Sequence, residues 1–456
     1  MKADKDRQQI QLGHKFMIIT SYTLLGFVLS YLLFSIVSYG LSSQPSDKAF
    51  GMIPGLRMPT FADLRWLAAT GGCSININDL YNGKSVGCDP YGRLRMGYPP
   101  MSLWASQFLR IKGDYTPHIS LAFSLSFIGV ILSQMRSSLR SGWLLILLGS
   151  LFLIGFPVQL GLERMNIDIL IFLLLYLSVL LFSLHALFWL FPLIIFVTSL
   201  KYFPIFAFFA LILKGLPSKP GISHPVPPWL ILLIGSGIGL ALSLPWTGVG
   251  GTTVAAGGLN SHGLMALGFL NKPLLDSFGL ANSSWIIKVM LGMRILVLAC
   301  GAYMAYRLKL ANILAKSINM HSTEFKNTRV PMDFYYSLVV SMTSAWLGCY
   351  IVTISFDYRM IFLFPVLIFL ARAIQLCPSI QASTLQMWGL ISLLSSMLGS
   401  MLIPFMGHAY QVQLTRVAID SIAEFVLIPF FASALFVIVL NLIIFSRRPL
   451  GLLSQR

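Results

Sequence analysis

Long apolar runs, separated by short polar turns, constrain this chain more than any other feature. The hydrocarbon core of a bilayer is about 30 Å thick, so a helix needs about 20 apolar residues to cross it. Segments of that kind lie near residues 16–40, 118–135, 142–157, 168–184, 186–201, 203–213, 229–246, 284–306, 334–354, 359–376, 384–406 and 424–446. Within lipid the backbone must satisfy its own hydrogen bonds, which leaves helices or closed barrels. The ten-residue alternating strands of a barrel are missing. The expectation is an all-α, polytopic helical membrane protein with about twelve transmembrane helices in a single integral membrane domain spanning 1–456. Composition agrees: 56% of residues are hydrophobic and 10% charged, against roughly 25% charged in a soluble domain. The pair 186–201 and 203–213 is short and broken at KYFP, which leaves room for one of them to be re-entrant. The first segment is too long, and lacks the small-residue cleavage site, to read as a removed signal peptide; it reads as a signal anchor.

Charge sets the orientation. An even number of spans puts both termini on one side. The tail at 1–15, MKADKDRQQIQLGHK, the turn RSSLRS, the loop 214–228, the loop 307–333 and the C-terminal SRRPLGLLSQR then share that side and hold half of all Lys and Arg. By the positive-inside rule this side is cytoplasmic. The 307–333 loop is basic and amphipathic and is expected to lie on the cytoplasmic surface. The net charge of +17 therefore points to anionic membrane lipids as partners. Nucleic acid is excluded as a partner, because no basic, aromatic-interleaved domain exists. Residues 41–117 form an extracytoplasmic loop with two short amphipathic helices, around FADLRWLAA and PPMSLWASQFL, where Trp66 and Trp104 suit the interface. Cys73 and Cys88 share this loop; outside the cell they form a disulfide, or else remain two thiols whose Cβ atoms never approach. Cys300, Cys349 and Cys377 read as small buried hydrophobes. The Gly-rich stretch 247–283 lacks the P-loop Lys and reads as a flexible loop.

This threading brings distant polar residues to one face. Asp63 lies in the first outer loop. Glu163, Arg164, Asn166 and Asp168 sit at the outer end of a span, and Lys201 at the outer end of another. Asp357, Tyr358 and Arg359 begin a third. Any one of these alone reads as an ordinary interfacial residue, snorkelling or paired. Ionisable groups at membrane depth are costly, so a set converging from four regions of the chain is a functional-site hypothesis. Cations there would hold an anionic phosphate at the membrane edge, and a carboxylate would take a proton from a hydroxyl. Together they fit sugar transfer from a polyprenyl-phosphate donor.

The stretch FADLRWLAAT…INDLYNGKSVGCDPYGRLRMGYPPMSL resembles the first outer loop of the GT-C polyprenyl-phosphate-dependent glycosyltransferases. It is most similar to glycosyltransferase family 87, which includes bacterial mannosyltransferases. Asp63, Leu80-Tyr81 and Tyr98-Pro99-Pro100 match that group's early Asp, Gly/Tyr spacing and Tyr-Pro-Pro. MNIDILIFLLL resembles its Gly-Asn-x-Asn/Asp stretch, with Met165 standing where the family often has Gly. KYFPIFA resembles its Lys-x-x-Pro element and SFDYRMIFLFP its Asp-Tyr-Arg element. The ordered set covers about two-thirds of the chain.

The resemblance implies that an Asp of the first outer loop is the catalytic base, and Asp63 matches it, with Asp79 and Asp89 as rivals. Asp89, between Cys88 and Pro90, reads as a turn residue. The implied enzyme is a hexosyltransferase in the bacterial inner (plasma) membrane with its site on the extracytoplasmic side. It passes a hexose or mannose-like sugar, with inversion, to a lipid or glycan acceptor. Arg359, Arg164, Lys201, Glu163, Asn166, Asp168, Asp357, Tyr358 and Tyr98 are the expected substrate-binding set. No cofactor is expected. The reading is metal-independent, since the one Asp-x-Asp triplet, Asp4-Lys5-Asp6, falls in the cytoplasmic tail, away from the site where oxygen ligands would be needed. Rival readings are a polysaccharide polymerase or ligase and, from another class, a lipid or solute transporter. Arg294 near mid-span and the KYFP break favour the latter. A cysteine placed at Ser43 should be labelled only from outside the membrane and one at Ser322 only from the cytoplasmic side. Labelling of the Ser43 site from the cytoplasm would overturn the threading.

Overall fold

The structure, a computed structural model, describes residues 2–40, 61–71, 99–108, 115–136, 142–215, 227–243, 261–262, 284–324, 332–352, 355–376, 383–409 and 422–446. It is all-α apart from one two-residue ladder. In chain order the helices are α1 (Lys2–Gly40), α2 (Ala62–Gly71), α3 (Pro100–Phe108), α4 (Thr116–Arg136), α5 (Trp143–Ile154), α6 (Phe156–Arg164), α7 (Ile167–Ser183), α8 (Leu187–Leu200), α9 (Pro204–Gly215) and α10 (Pro228–Ser243). There follow α11 (Ser284–Arg307), α12 (Leu310–Glu324), α13 (Met332–Val352), a 3-10 segment (Asp357–Leu363), α14 (Phe364–Leu376), α15 (Thr384–Ala409) and α16 (Ile428–Ser446). Strands β1 (Ser261–His262) and β2 (Ser355–Phe356) pair antiparallel, Ser261 opposite Phe356. This ladder ties Ser261–His262 to the chain leading into the 3-10 segment.

Among the described residues three helices are long and apolar enough to cross a membrane: Lys15–Val37, Thr116–Met135 and Thr384–Ile403. Two bent pairs raise the number to five if each is one span. Large apolar side chains such as Phe27, Phe34, Trp189 and Leu296 face outward. A water-soluble monomer rarely exposes so much, and the chain is a membrane protein on this ground.

One bent pair decides where the polar site lies. α5 and α6 meet at 46° through Gly155. Pro157 has no N–H for the Leu153 carbonyl, and its fixed φ suits the first turn of a new helix. The Gln159 side chain takes over, donating from Nε2 to the Leu153 oxygen at 3.0 Å. The stretch VQLGLERMNID, which falls between the apolar segments 142–157 and 168–184, is helical up to Arg164. Only Met165 and Asn166 separate α6 from α7. Met165 is left-handed (φ 42°, ψ 57°), and the Asn166 N–H donates back to the Gly161 carbonyl at 3.1 Å. This is a helix-ending geometry that Gly usually occupies. Asn166 then caps α7, its side chain accepting from the Asp168 N–H.

α1 runs unbroken from Lys2, so the 1–15 tail is helical and continuous with the first apolar segment. Two other expectations change. The 307–333 loop holds α12, whose Leu310, Leu314 and Ile318 are fully buried and whose Ser317 donates to the Phe369 carbonyl of α14 at 3.0 Å. Its apolar stripe is covered by protein, not laid on a surface. Cys300 is exposed, whereas Cys349 is buried.

Below the site the core is aromatic. Phe172 of α7 meets Phe127 of α4 at 5.1 Å between ring centres and Phe362 of the 3-10 segment at 6.0 Å. Phe362 also meets Phe203, at 5.5 Å. At the opposite end of α9, Lys214 pairs with Asp333 of α13 and donates to Ser337 Oγ at 2.8 Å. α11 and α16 cross closely, and a Cβ on Gly301 would overlap the carbonyl oxygen of Phe430. Because backbone must move, Gly301→Val should lower stability by about 1–3 kcal/mol. Thermal unfolding in detergent checks this against Gly292→Val on the open face of the same helix, which should unfold within a degree or two of the parent.

Candidate functional site

Four helix ends and the 3-10 segment carry the site, the fourth being the start of α2, which holds Asp63 in its first turn. α6 ends in Glu163-Arg164, α7 opens with Asn166 as cap and Asp168 in its first turn, and α8 ends at Lys201. Lys201 is extended (φ −155°, ψ 149°), and Pro204, which cannot continue a helix, opens α9. The short amphipathic helix expected around FADLRWLAA is α2. Phe61, just before it, is fully buried yet left-handed (φ 62°). Its N–H donates to the Glu163 carbonyl at 2.6 Å. Two bulky left-handed residues, Phe61 and Met165, thus flank the meeting of α2 with α6. Such backbone persists where surrounding contacts over-determine it, and it gathers at functional sites.

The side chains form one bonded chain. Arg164 Nη2 donates to Asp63 Oδ1 at 2.8 Å. Asn166 Nδ2 donates to Asp63 Oδ2 at 2.7 Å. Asn166 Oδ1 accepts from the Asp168 N–H at 3.0 Å and from Lys201 Nζ at 3.3 Å. Lys201 Nζ also donates to Asp168 Oδ1 at 2.6 Å, and Arg359 Nε donates to Asp168 Oδ2 at 3.1 Å. Asp63 is 4% exposed, Asp168 0% and Arg359 8%. Three cations here share two carboxylates. The Arg359 guanidinium also lies 5.1 Å from the centre of the Phe203 ring, within cation–π reach.

Of the residues expected from sequence, Asp63, Arg164, Asn166, Asp168, Lys201 and Arg359 come together in this chain. Glu163 lies beside it, 2% exposed, with no hydrogen-bond partner for its Oε2. Asp357 and Tyr358 are described in their backbone alone, in the 3-10 segment that carries Arg359. Tyr98, the rivals Asp79 and Asp89, and the pair Cys73 and Cys88 lie outside the described residues. Two participants went unread. Cys349 is in hydrogen-bond contact with Arg359; buried among apolar neighbours in sequence, it gave no polar signal. Phe203 follows Lys201 by two positions, inside the KYFP stretch already singled out. Arg294 is buried and donates to the Tyr350 hydroxyl at 3.1 Å. Among the described residues no group of three or more His, Cys, Asp or Glu is placed to hold a metal ion.

A partly open cleft, about 630 Å³ counting the space that leads outward, meets this chain at Asp63 and Asn166. Its walls are otherwise mostly apolar, with Leu64 and Leu67 of α2, Ala105 of α3, Ile119 and Phe123 of α4, Leu170 of α7 and Phe196 of α8. Two serines of α3 also line it, but each turns its hydroxyl to a backbone carbonyl. Ser102 bonds Leu200 at 3.2 Å and Ser106 bonds Leu67 at 3.3 Å, which fastens α3 across the end of α8 and the middle of α2.

No family model matches the chain, and neither a curated protein nor a solved structure matches it. The arrangement is read from its own chemistry. Asp168 is the carboxylate on which two buried cations depend. Truncating one member of a buried ionic set strands the others and costs about 3–5 kcal/mol. Asp168→Ala should therefore lose most of its folded yield or unfold many degrees lower in detergent. Asp168→Asn, which keeps an acceptor oxygen, should lose less. Equal melting of Asp168→Ala and the parent would show that the buried ionic set is not formed.

Proposed function

We propose that this chain is an integral membrane glycosyltransferase of the GT-C class, resembling glycosyltransferase family 87. In this reading all twelve apolar segments cross the bilayer, and the site opens on the extracytoplasmic side, in a bacterial inner membrane. The donor is a polyprenyl-phosphate-linked hexose or mannose-like sugar. The acceptor is a lipid or glycan hydroxyl. The observation that carries the reading is an apolar cleft that reaches Asp63 and Asn166, the near end of a bonded chain in which Arg164, Lys201 and Arg359 stand behind the cleft wall, paired with Asp63 and Asp168. Such a site suits a molecule that is hydrocarbon at one end and anionic at the other.

The chemistry follows from those groups. The acceptor oxygen attacks the anomeric carbon from the face opposite the phosphate, and Asp63 takes the hydroxyl proton. The bond from the anomeric carbon to the phosphate oxygen breaks, and its electron pair leaves with the lipid phosphate. That anion is stable, so cations suffice where other leaving groups need an acid. Arg359 is the leading phosphate ligand, since a guanidinium can hold two phosphate oxygens at once. Lys201 and Arg164 add charge within the same set. Single displacement inverts the anomeric centre.

A transporter or flippase is the second reading. The buried Arg294 and the helix break between α8 and α9 favour it, because broken helices and embedded charge mark substrate paths. Purified protein incubated with a panel of polyprenyl-phosphate sugars and acceptors separates the two. Transfer releases free polyprenyl phosphate, whereas transport moves the intact lipid between leaflets of a vesicle. Asp63→Asn should lower release by about 10²–10⁴-fold, and Arg359→Lys should weaken donor binding with the fold intact. Near-parental turnover of Asp63→Asn would remove Asp63 as the base.

A further inference from the structure

Asn166 was expected to touch substrate, and it lines the cleft beside Asp63. Its amide is also engaged within the protein at three contacts. Nδ2 donates to Asp63 Oδ2, and Oδ1 accepts both the Asp168 N–H and Lys201 Nζ. At 3% exposure it has little surface left for a ligand. The orientation of the amide is fixed by its neighbours. Turned over, it would set oxygen against a carboxylate and an NH₂ group against an ammonium and an N–H donor, failing at all three contacts. Being the cap of α7, it is also held by that helix's first turn. Asn166 thus joins the Asp63–Arg164 pair to the Asp168–Lys201–Arg359 set.

We infer that Asn166 is a positioning residue whose amide aims the Asp63 carboxylate and ties it to Lys201 at the cationic end of the site. The inference rests on the reading of Asp63 as proton acceptor. An amide N–H pointed at a carboxylate oxygen favours the ionised form, the form that accepts a proton. It also blocks rotation of the carboxylate about its bond to Cβ. Other charges act on Asp63 as well. α6 brings Glu163 and Arg164, and Lys201 and Asp168 lie across from it. Arg65 is on its own helix, α3 carries no titratable group among its described residues, and α4 contributes the exposed His118. None of these changes when Asn166 is replaced.

Two variants separate positioning from capping. Asn166→Ser keeps the helix cap, since Ser caps about as well as Asn, but reaches neither Asp63 nor Lys201. Asn166→Asp keeps the acceptor for the Asp168 N–H and Lys201, loses the donor to Asp63 and sets a second carboxylate against it, which raises the Asp63 midpoint by like-charge repulsion as well. The first readout needs no turnover. The infrared carbonyl band of protonated Asp63, identified by its loss in Asp63→Asn, is followed against pH in the full chain. Its midpoint should rise by about one pH unit in Asn166→Ser, the equivalent of losing one hydrogen bond to a charged group, and further in Asn166→Asp. The second readout is transfer from a polyprenyl-phosphate sugar. Both variants should lower kcat at least tenfold with KM nearly unchanged, and the acid limb of the pH profile should move up with the infrared midpoint. In an Asp63→Asn background, Asn166→Ser should cost little more, because its effect runs through the missing carboxylate. An unmoved midpoint in both variants, or full additivity of the two losses, overturns the inference. Absence of transfer by the parent protein overturns the transferase reading instead, and the role of Asn166 in catalysis with it, while the infrared shift still decides whether Asn166 aims Asp63.

Discussion

The fold around the site depends on Asp168. One fully buried carboxylate holds Lys201 through one oxygen and Arg359 through the other. Those residues come from the end of α8 and from the 3-10 segment, 33 and 191 positions away in the chain. Apolar packing has no direction, and it aligns helices without deciding which ends meet. A buried charge tolerates few arrangements, because each unpaired alternative costs several kcal/mol. The aromatic contacts of Phe172, Phe362 and Phe203 lie below the same junction. Ionic pairing and ring packing therefore select the same registration of α7, the junction between α8 and α9, and the 3-10 segment.

How much of this was legible in sequence depends on the kind of signal. Apolar length located the helices, including the break before Pro204. Charges at the edges of apolar runs identified Asp63, Arg164, Asp168, Lys201 and Arg359 as a set, since burial of such groups needs partners. What failed was local. The stretch from Val158 to Asp168 fell between two apolar segments, and its apolar length gave no helix. Its helicity depends on Gln159 answering the carbonyl that Pro157 leaves open, a contact across a bend that no periodicity records. The burial of α12 was hidden for a related reason: a basic amphipathic sequence reads alike whether its apolar stripe meets lipid or protein. Cys349 was legible as buried but not as a neighbour of Arg359.

The role of Asn166 shows the limit of inference from residue type. Polar residues beside a cluster of charges are naturally assigned to substrate. The structure uses this one to connect two parts of the cluster, so that the carboxylate end and the cationic end are fixed relative to each other. In the proposed reaction the proton acceptor and the phosphate ligands must act across a distance set by the substrate, and a rigid link between them removes one degree of freedom from the site.

The two sides of the apolar cleft are built to different stiffness. The α6–α7 side is braced by a bend whose carbonyl is answered, by a helix-ending turn and by charge-assisted bonds as short as 2.6 Å. The α3 side is fastened across its neighbours by two neutral hydroxyl-to-carbonyl bonds of 3.2 and 3.3 Å. Thermal motion at the cleft should thus be lopsided, with α3 yielding and the charged wall standing still. For the proposed lipid-linked donor, entry would then displace the lightly held helix, and the polar head would arrive at groups that have not moved to meet it.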